Sequence, residues 1–224
     1  MLGRLARRKE SCVDEPPERQ RIEGSRGLDR ILALSDGVFA IALTLLVLNI
    51  EVPEIPEDLV AQELPGELLA LWPKFLSYML SFVVILFYWT AHHSIFSSIK
   101  DYDRRLIWLN SLFLMFVAFL PFPTALLGEY EDQQIVVAVY AGSLAITRLL
   151  LSSVWWYVSG RPWLVSVELD RRTIRVFSIR AWGIPLVFLV SIGISFISVT
   201  AAKYSWLLLV IVDFVLLRVL RRPR

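Results

Sequence analysis

Residues 30–50 read RILALSDGVFAIALTLLVLNI, an apolar stretch that is interrupted by a single carboxylate, Asp36. A helix needs roughly 20 mostly apolar residues to cross the hydrocarbon core of a bilayer, which is about 30 Å thick. The chain contains six such runs, at 31–50, 68–91, 106–126, 135–158, 181–199 and 204–220. The sequence therefore predicts an all-α membrane protein with six transmembrane helices.

The composition supports this class and excludes several others. Of the 224 residues, 56% are hydrophobic, and the mean hydropathy is +0.60. Residues 1–29 are too polar to form a core, so we expect a flexible basic cytoplasmic tail followed by one six-helix domain at 30–224. The single cysteine, Cys12, excludes a cysteine metal cluster. Since the hydrolase motifs Gly-x-Ser-x-Gly and His-Glu-x-x-His do not occur, we expect neither an enzyme nor a cofactor.

Lysine and arginine residues are concentrated in alternate loops. The second loop contains Lys100, Arg104 and Arg105, and five arginines lie between the fourth and fifth runs. The first loop contains six acidic residues and no basic one. Because basic loops stay in the cytoplasm, both termini are predicted to be cytoplasmic. The arginines follow the topology, which argues against nucleic-acid binding, and those beside the bilayer could also attract anionic lipids.

The first run has two different faces when it is drawn as a helix with about 100° per residue. Five residues lie within about 60° of Ile41 and form one largely apolar stripe with it. These residues are Leu34, Gly37, Thr44, Leu45 and Leu48. Ser35 lies about +120° from Ile41 and Asp36 about −140°. The polar pair is therefore predicted to face away from the stripe.

Asp36 needs a partner, because an ionised carboxylate in hydrocarbon costs at least about 2.5 kcal/mol. Other polar and aromatic residues lie at a similar depth on the cytoplasmic side: Arg30, His92, His93, Trp108 and Asn110. We expect Asp36 to pair with a histidine or with Asn110. Two interpretations stay open. The group could simply hold helices together by hydrogen bonds, or it could have a functional role, either by fixing the position of a pore helix or by responding to histidine protonation near neutral pH.

Two further charges lie inside predicted spans, Arg148 in the fourth and Asp213 in the sixth. Each would be costly in contact with lipid, so we expect the two side chains to form a pair. An alternative function is a proton-coupled secondary transporter. Its titrating groups would be Asp36, His92, His93, Arg148 and Asp213.

Three segments of the chain resemble a known family. Arg30-x-x-x-Leu34-Ser35-Asp36 is similar to the Arg-x-x-x-Phe-Ser-Asp motif of the transmembrane protein 175 family, the endosomal and lysosomal potassium channels and their prokaryotic relatives. Leu34 departs from the usual phenylalanine. Two later segments, Trp89-x-x-His92-His93 and Trp108-Leu-Asn110, resemble the second and third spans of that family. The single six-helix repeat is typical of its prokaryotic branch.

This resemblance implies a potassium-selective leak channel in a prokaryotic plasma membrane. It also implies a homotetramer in which the first helix lines the pore, and it includes Arg30, Ser35 and Asp36 in the family's motif. Matched position by position, Ile41, Thr44 and Leu48 would form the constriction, with Glu51 at the outer mouth. The helical wheel places the same three constriction residues on one stripe. Such a pore uses apolar rings instead of a carbonyl filter, and potassium is its permeant ion.

Overall fold

Helices account for most of the chain in the computed structural model, which describes residues 18–165 and 171–206. Within these ranges the α-helices are α1 (Glu18–Leu45), α2 (Val60–Ala70), α3 (Trp72–Phe96), α4 (Arg104–Phe119), α5 (Pro121–Glu129), α6 (Gln134–Ser159), α7 (Arg171–Ser195) and α8 (199–206). Two short 3₁₀ helices, Leu46–Asn49 and Pro162–Leu164, follow α1 and α6. The expected all-α class is confirmed.

Four helical stretches in the described ranges are long and apolar enough to cross a membrane. They are Gly27–Asn49, Trp72–Phe96, Arg104–Glu129 and Gln134–Ser159. Each of these stretches overlaps one of the first four predicted spans, with boundaries that differ by up to five residues. The fifth predicted run corresponds to a shorter apolar stretch of α7, Trp182–Ser195. The sixth run, 204–220, lies mostly outside the described residues.

Helix α1 begins well before the predicted membrane span. Residues 18–29, which the sequence analysis assigned to a flexible tail, form about three turns of this helix. The helix joins the core at Leu28, which is buried. A Cβ atom at Gly27 would overlap the ring of Tyr102, so glycine allows the loop after α3 to approach α1 closely. The division between 1–29 and 30–224 stays a prediction, and its boundary does not coincide with the start of the helix.

The acidic loop after α1 contains a helix that hydropathy did not predict. None of the side chains of α2 is buried, and the helix contains Pro65. Residues 68–70 were expected in the second span but belong to α2. Helix α3 starts at Trp72 instead, and Pro73 in its first turn favours a helix start because its fixed φ suits that position.

The third predicted span is divided into two helices at Leu120. Helix α4 ends at Phe119 and α5 begins at Pro121, where the missing N–H removes one helical hydrogen bond. The side-chain amide of Asn49 donates to the Pro121 carbonyl at 3.2 Å. This bond joins the 3₁₀ helix that follows α1 to the break between α4 and α5.

Helix α6 lies at the centre of the core and packs on α3, α4, α5 and α7. Polar side chains connect these helices. The hydroxyls of Ser81 and Tyr140 lie 2.9 Å apart, Thr124 donates to Ser81 at 2.8 Å, and Tyr88 donates to the Leu144 carbonyl at 2.8 Å. Interhelical hydrogen bonds of this kind help hold membrane helices together, since lipid provides no hydrophobic driving force between them. Helix α1 packs on α4 and α3 and leaves one face uncovered.

Candidate pore helix and its polar network

The two faces predicted for the first span are present in the structure. Ser35, Phe39, Ala42 and Leu46 are buried at spacings of three to four residues, which places them on one side of α1 and of the 3₁₀ helix that extends it. The other side is exposed in the protomer, as the list of its large apolar residues shows: Leu34 60%, Ile41 60%, Leu45 40% and Leu48 69%. A membrane helix with one covered face and one apolar uncovered face can line a pore, meet a neighbouring copy, or contact lipid.

Thr44 is the hydroxyl on the uncovered face. Its Oγ1 lies 3.0 Å from the carbonyl oxygens of both Ala40 and Ile41, so its single proton is donated within its own helix. The oxygen keeps its lone pairs, and the side chain is exposed. Thr44 is therefore placed as an acceptor on the uncovered face and could coordinate a cation there.

The end of the first span is not a regular α-helix, which changes the predicted position of Leu48. Residues Leu46–Asn49 form a 3₁₀ helix, which turns about 120° per residue instead of about 100°. Over the three residues from Leu45 to Leu48 this rotates Leu48 by roughly 60° from its wheel position, to lie over Leu45. The backbone becomes extended at Ile50, and Glu51 is exposed just beyond it. Leu48 and Glu51 thus lie at the end of the uncovered face.

A buried hydrogen-bonded chain connects α1, α3 and α4. Ser35 donates to the Ile31 carbonyl at 2.8 Å, and the Asn110 side-chain nitrogen donates to the Ser35 oxygen at 3.1 Å. His92 Nε2 lies 2.9 Å from the Asn110 side-chain oxygen. Since an amide oxygen only accepts, His92 is the donor in this pair. Ser35, Asn110 and His92 are each at most 2% exposed, so every member of the chain depends on its neighbour.

The ring of His92 packs among aromatic rings. Phe96 stacks on it with centroids 4.2 Å apart, Phe113 lies nearly parallel at 5.6 Å, and Phe39 is tilted at 5.7 Å. This packing fixes the ring that donates to Asn110. It favours the interpretation that the network holds α1 in place.

The prediction that Asp36 pairs with a histidine or with Asn110 is wrong. Asp36 accepts from the indole nitrogen of Trp89 at 2.9 Å, and Asn110 bonds its neighbour Ser35 instead. Trp89 in turn stacks on His93 with centroids 5.6 Å apart. Adjacent residues of a helix point about 100° apart, so Ser35 meets α4 while Asp36 meets α3. Trp89 precedes His93 by four residues, and this spacing on one face of α3 is the signal that could have identified it.

The remaining predicted residues lie outside this network. Trp108 is 66% exposed on α4, and Arg30 is exposed in the first turn of the membrane span. Arg148 is buried in α6. Asp213 lies outside the described residues, so the expected Arg148–Asp213 pair stays a prediction. In the described ranges, no group of three or more histidine, cysteine or acidic side chains could hold a metal ion.

The arginine-rich end of the bundle contains a second polar cluster that the sequence did not predict. Asp103 caps α4 by accepting from the Leu106 N–H at 2.8 Å, and the Tyr157 hydroxyl also donates to it. Partial burial works against ionisation, but these two bonds and the charges of Arg161 and Arg105 hold the pKa of Asp103 below its usual value. Nearby, the Lys100 N–H donates to the Leu164 carbonyl at 2.9 Å. The loops after α3 and α6 are thereby joined.

Comparisons with known proteins agree on one family. The family described as "Endosomal/lysosomal potassium channel TMEM175" matches residues 30–121. A potassium channel of Chamaesiphon minutus is 40% identical over 175 residues, which cover 76% of this chain and 85% of that protein. A potassium channel of Streptomyces collinus is 38% identical over 181 residues, covering 75% and 82%.

A solved structure and a human protein extend this comparison. The crystal structure of a lysosomal potassium-selective channel TMEM175 homolog from Chamaesiphon minutus matches with a TM-score of 0.71 and 37% identity. It covers 83% of this chain and 95% of the other. The human endosomal/lysosomal proton channel TMEM175 is 40% identical over 98 residues, 42% of this chain and 19% of that protein.

Proposed function

The chain belongs to the TMEM175 family of potassium channels, and we propose that it conducts potassium through a pore lined by the uncovered face of α1. It is a multi-pass membrane protein and not an enzyme. The observation that carries the pore assignment is the arrangement of α1. One face is fixed to α3 and α4 by the Ser35–Asn110–His92 chain, and the opposite face presents Ile41 and Leu48 without cover.

The assembly we propose is a homotetramer of six-span protomers with both termini in the cytoplasm. The distribution of charge supports the orientation, because Lys100 and Arg161 in the loops and Arg104 and Arg105 in the first turn of α4 all lie at one end of the bundle. The relative with a solved structure matches almost its whole length, which supports a shared architecture. Four copies of the uncovered α1 face around one axis would form the apolar rings of the proposed pore. Bacterial relatives make the plasma membrane the proposed location.

The proposed constriction consists of rings of Ile41, Thr44 and Leu48. An ion that enters an apolar ring loses hydration and gains nothing in return, so a narrow ring closes the pore by dewetting. The Thr44 ring differs, because its oxygen is an acceptor on the uncovered face and can replace part of the hydration shell. Four copies of Glu51 at the mouth would concentrate cations before they enter.

Potassium flux from liposomes tests this function. Purified protein is reconstituted with a potassium gradient, and the wild type is compared with Ile41→Asn and Leu48→Ala. Each has a matched control on another helix: Ile146→Asn, at an isoleucine of α6 that is 43% exposed, and Leu186→Ala, at a leucine of α7 that is 60% exposed. We expect faster flux in both α1 variants, since a polar or smaller ring wets more easily, and wild-type flux in both controls.

Two results would contradict the proposal. Flux that changes equally in the α1 variants and in their controls would mean that α1 does not line the pore. Potassium movement that requires a proton gradient would instead indicate the coupled transporter, which the names of the bacterial relatives do not favour. A pH-sensitive dye in the same vesicles measures proton permeation, because the human relative is named a proton channel.

A further inference from the structure

A cavity of about 610 Å³ opens at the end of the bundle opposite the arginine-rich loops. It lies between the first half of α3, the end of α5 with the loop that follows it, and α8. Its walls are mostly apolar and include Leu76, Leu80, Val83 and Leu127, with the aromatic rings of Trp72, Tyr204 and Trp206. Ligand-binding cavities of this size are typically apolar with a few placed polar groups. The pore proposed above uses none of these residues.

The depth of the cavity matches one leaflet of a bilayer. The lining residues of α3 run from Trp72 to Val83, and eleven residues of helix rise about 16 Å. The hydrocarbon core of a bilayer is about 30 Å thick, so each leaflet contributes roughly 15 Å. Trp72 and Tyr204 are 60% and 66% exposed at the polar end, where aromatic side chains suit the headgroup boundary. The deeper part of the cavity is therefore at the level of lipid acyl chains.

The polar end of the cavity carries charges of both signs. Lys203 Nζ lies 3.1 Å from a carboxylate oxygen of Glu131 and 4.0 Å from one of Asp132. An ammonium has three donors, so Lys203 keeps capacity for another acceptor. The Asp132 side chain is 84% exposed and keeps capacity for a cation. This pattern complements a zwitterionic headgroup, with a phosphate near Lys203 and an ammonium near Asp132, whereas two carboxylates disfavour an anionic one.

We propose that this cavity binds one acyl chain of a phospholipid whose headgroup carries a phosphate and a primary ammonium, as in phosphatidylethanolamine. The acyl chain of the lipid fills the groove between α3 and α8, and the lipid headgroup bridges Lys203 and Asp132. Occupancy also affects packing inside the protein, because Trp206 donates to the Ser191 hydroxyl at 2.9 Å and packs on Tyr140 with centroids 5.0 Å apart. A bound acyl chain thus supports the contact of α8 with α6 and α7. The proposal does not depend on the pore or on the permeant ion.

Native mass spectrometry of the whole 224-residue chain tests this inference. The protein in detergent is incubated with equal amounts of phosphatidylethanolamine and phosphatidylglycerol that have the same acyl chains, and the retained lipids are identified. Leu76→Trp places a bulky ring in the wall of the cavity and obstructs the groove, while Phe75→Trp places the same ring at a neighbouring position of α3 that does not line the cavity. We expect wild type and Phe75→Trp to retain phosphatidylethanolamine and Leu76→Trp to lose it.

A second pair of variants separates the headgroup from the chain. Lys203→Gln with Asp132→Asn removes the headgroup contacts. The control, Lys74→Gln with Glu129→Gln, removes an ion pair at the same end but outside the cavity, in which Lys74 Nζ lies 2.6 Å from a Glu129 carboxylate oxygen. We expect only the first pair to abolish the preference over phosphatidylglycerol. That preference should be at most roughly fivefold, the factor that corresponds to about 1 kcal/mol, the upper range of one exposed ion pair such as an ammonium beside Asp132.

Three results would overturn the inference. Equal retention of both lipids, or a preference for phosphatidylglycerol, would remove the headgroup assignment. Unchanged retention in Leu76→Trp would place the lipid elsewhere. A change in the number of protomers in Leu76→Trp, with no change in lipid, would show that a second copy of the chain covers this surface.

Discussion

The buried chain from Ser35 through Asn110 to His92 predicts a specific loss of stability when its middle member is replaced. Asn110→Leu is close in size but removes two hydrogen bonds. These are the 3.1 Å bond that the Asn110 nitrogen donates to Ser35 and the 2.9 Å bond that the Asn110 oxygen accepts from His92. All three residues are buried, so no water replaces the lost contacts. Asp36→Asn is the contrasting variant. Asp36 is exposed, and an amide oxygen at this position can still accept from Trp89.

The size of the effect follows from these contacts. Interhelical hydrogen bonds measured in a membrane protein average about 0.6 kcal/mol each, which gives about 1.2 kcal/mol for the two bonds. The His92 donor is then buried without an acceptor, which adds about 1–3 kcal/mol. We therefore expect Asn110→Leu to lower the free energy of unfolding by roughly 2–4 kcal/mol. Asp36→Asn should cost less than about 1 kcal/mol, the range of an exposed charged contact.

The measurement is the free energy of unfolding in mixed micelles as the fraction of denaturing detergent rises, with helicity followed by circular dichroism. Ser35→Ala removes the bond from Asn110 and the bond of Ser35 to the Ile31 carbonyl within α1, and the double variant with Asn110→Leu measures the coupling between the two sites. A coupling energy near zero would mean that the Ser35–Asn110 bond does not contribute. The reasoning would be refuted if Asp36→Asn destabilised the protein more than Asn110→Leu.

Two further predictions concern selectivity and pH. Thr44→Val keeps the shape of the side chain but removes its oxygen, so the ratio of potassium to sodium flux should fall while flux persists, and Thr90→Val on α3 should leave it unchanged because Thr90 likewise donates to a carbonyl of its own helix. Equal ratios in both variants would exclude Thr44 from selection. Because Asp103 has a lowered pKa when folded, it stabilises the fold above its unfolded pKa of about 3.8, and this contribution disappears as the pH falls through the folded pKa. Asp103→Asn should therefore lower the melting temperature at neutral pH and converge with wild type in acid; parallel curves at every pH would contradict this.

Hydropathy predicted the first four spans because the bilayer imposes one requirement on all of them. Every backbone group must be bonded within the helix, and the side chains must be apolar over about 20 residues. The same criterion missed α2, whose eleven residues are too short to span and include Pro65. It also joined α4 and α5, since a helix that is interrupted at Leu120 keeps the same average hydropathy. Length and apolar character thus determine where the chain crosses, but not where a helix is interrupted.

The polar partners were harder to predict, because they depend on how neighbouring helices are rotated. A helical wheel of α1 separates Ser35 from Asp36 by about 100°, but it does not say which helix each residue meets. Depth in the membrane, taken alone, does not distinguish Asn110 from Trp89 as the hydrogen-bond partner of Asp36. The partner became clear only when α3 was placed beside α1, with the Trp89 indole directed at Asp36 at 2.9 Å.

The two adjacent polar residues explain why Ile41 lies on the uncovered face. On a helix with about 100° per residue, Ser35 lies about +120° and Asp36 about −140° from Ile41, so the direction midway between them is about 170°. The opposite direction is about −10°, within roughly 30° of both Leu34 and Ile41. Bonds to Asn110 on one side and Trp89 on the other therefore fix the rotation of α1. A helix anchored at two such angles can keep a ring of Ile41 aimed at a pore axis, which a single anchor could not do.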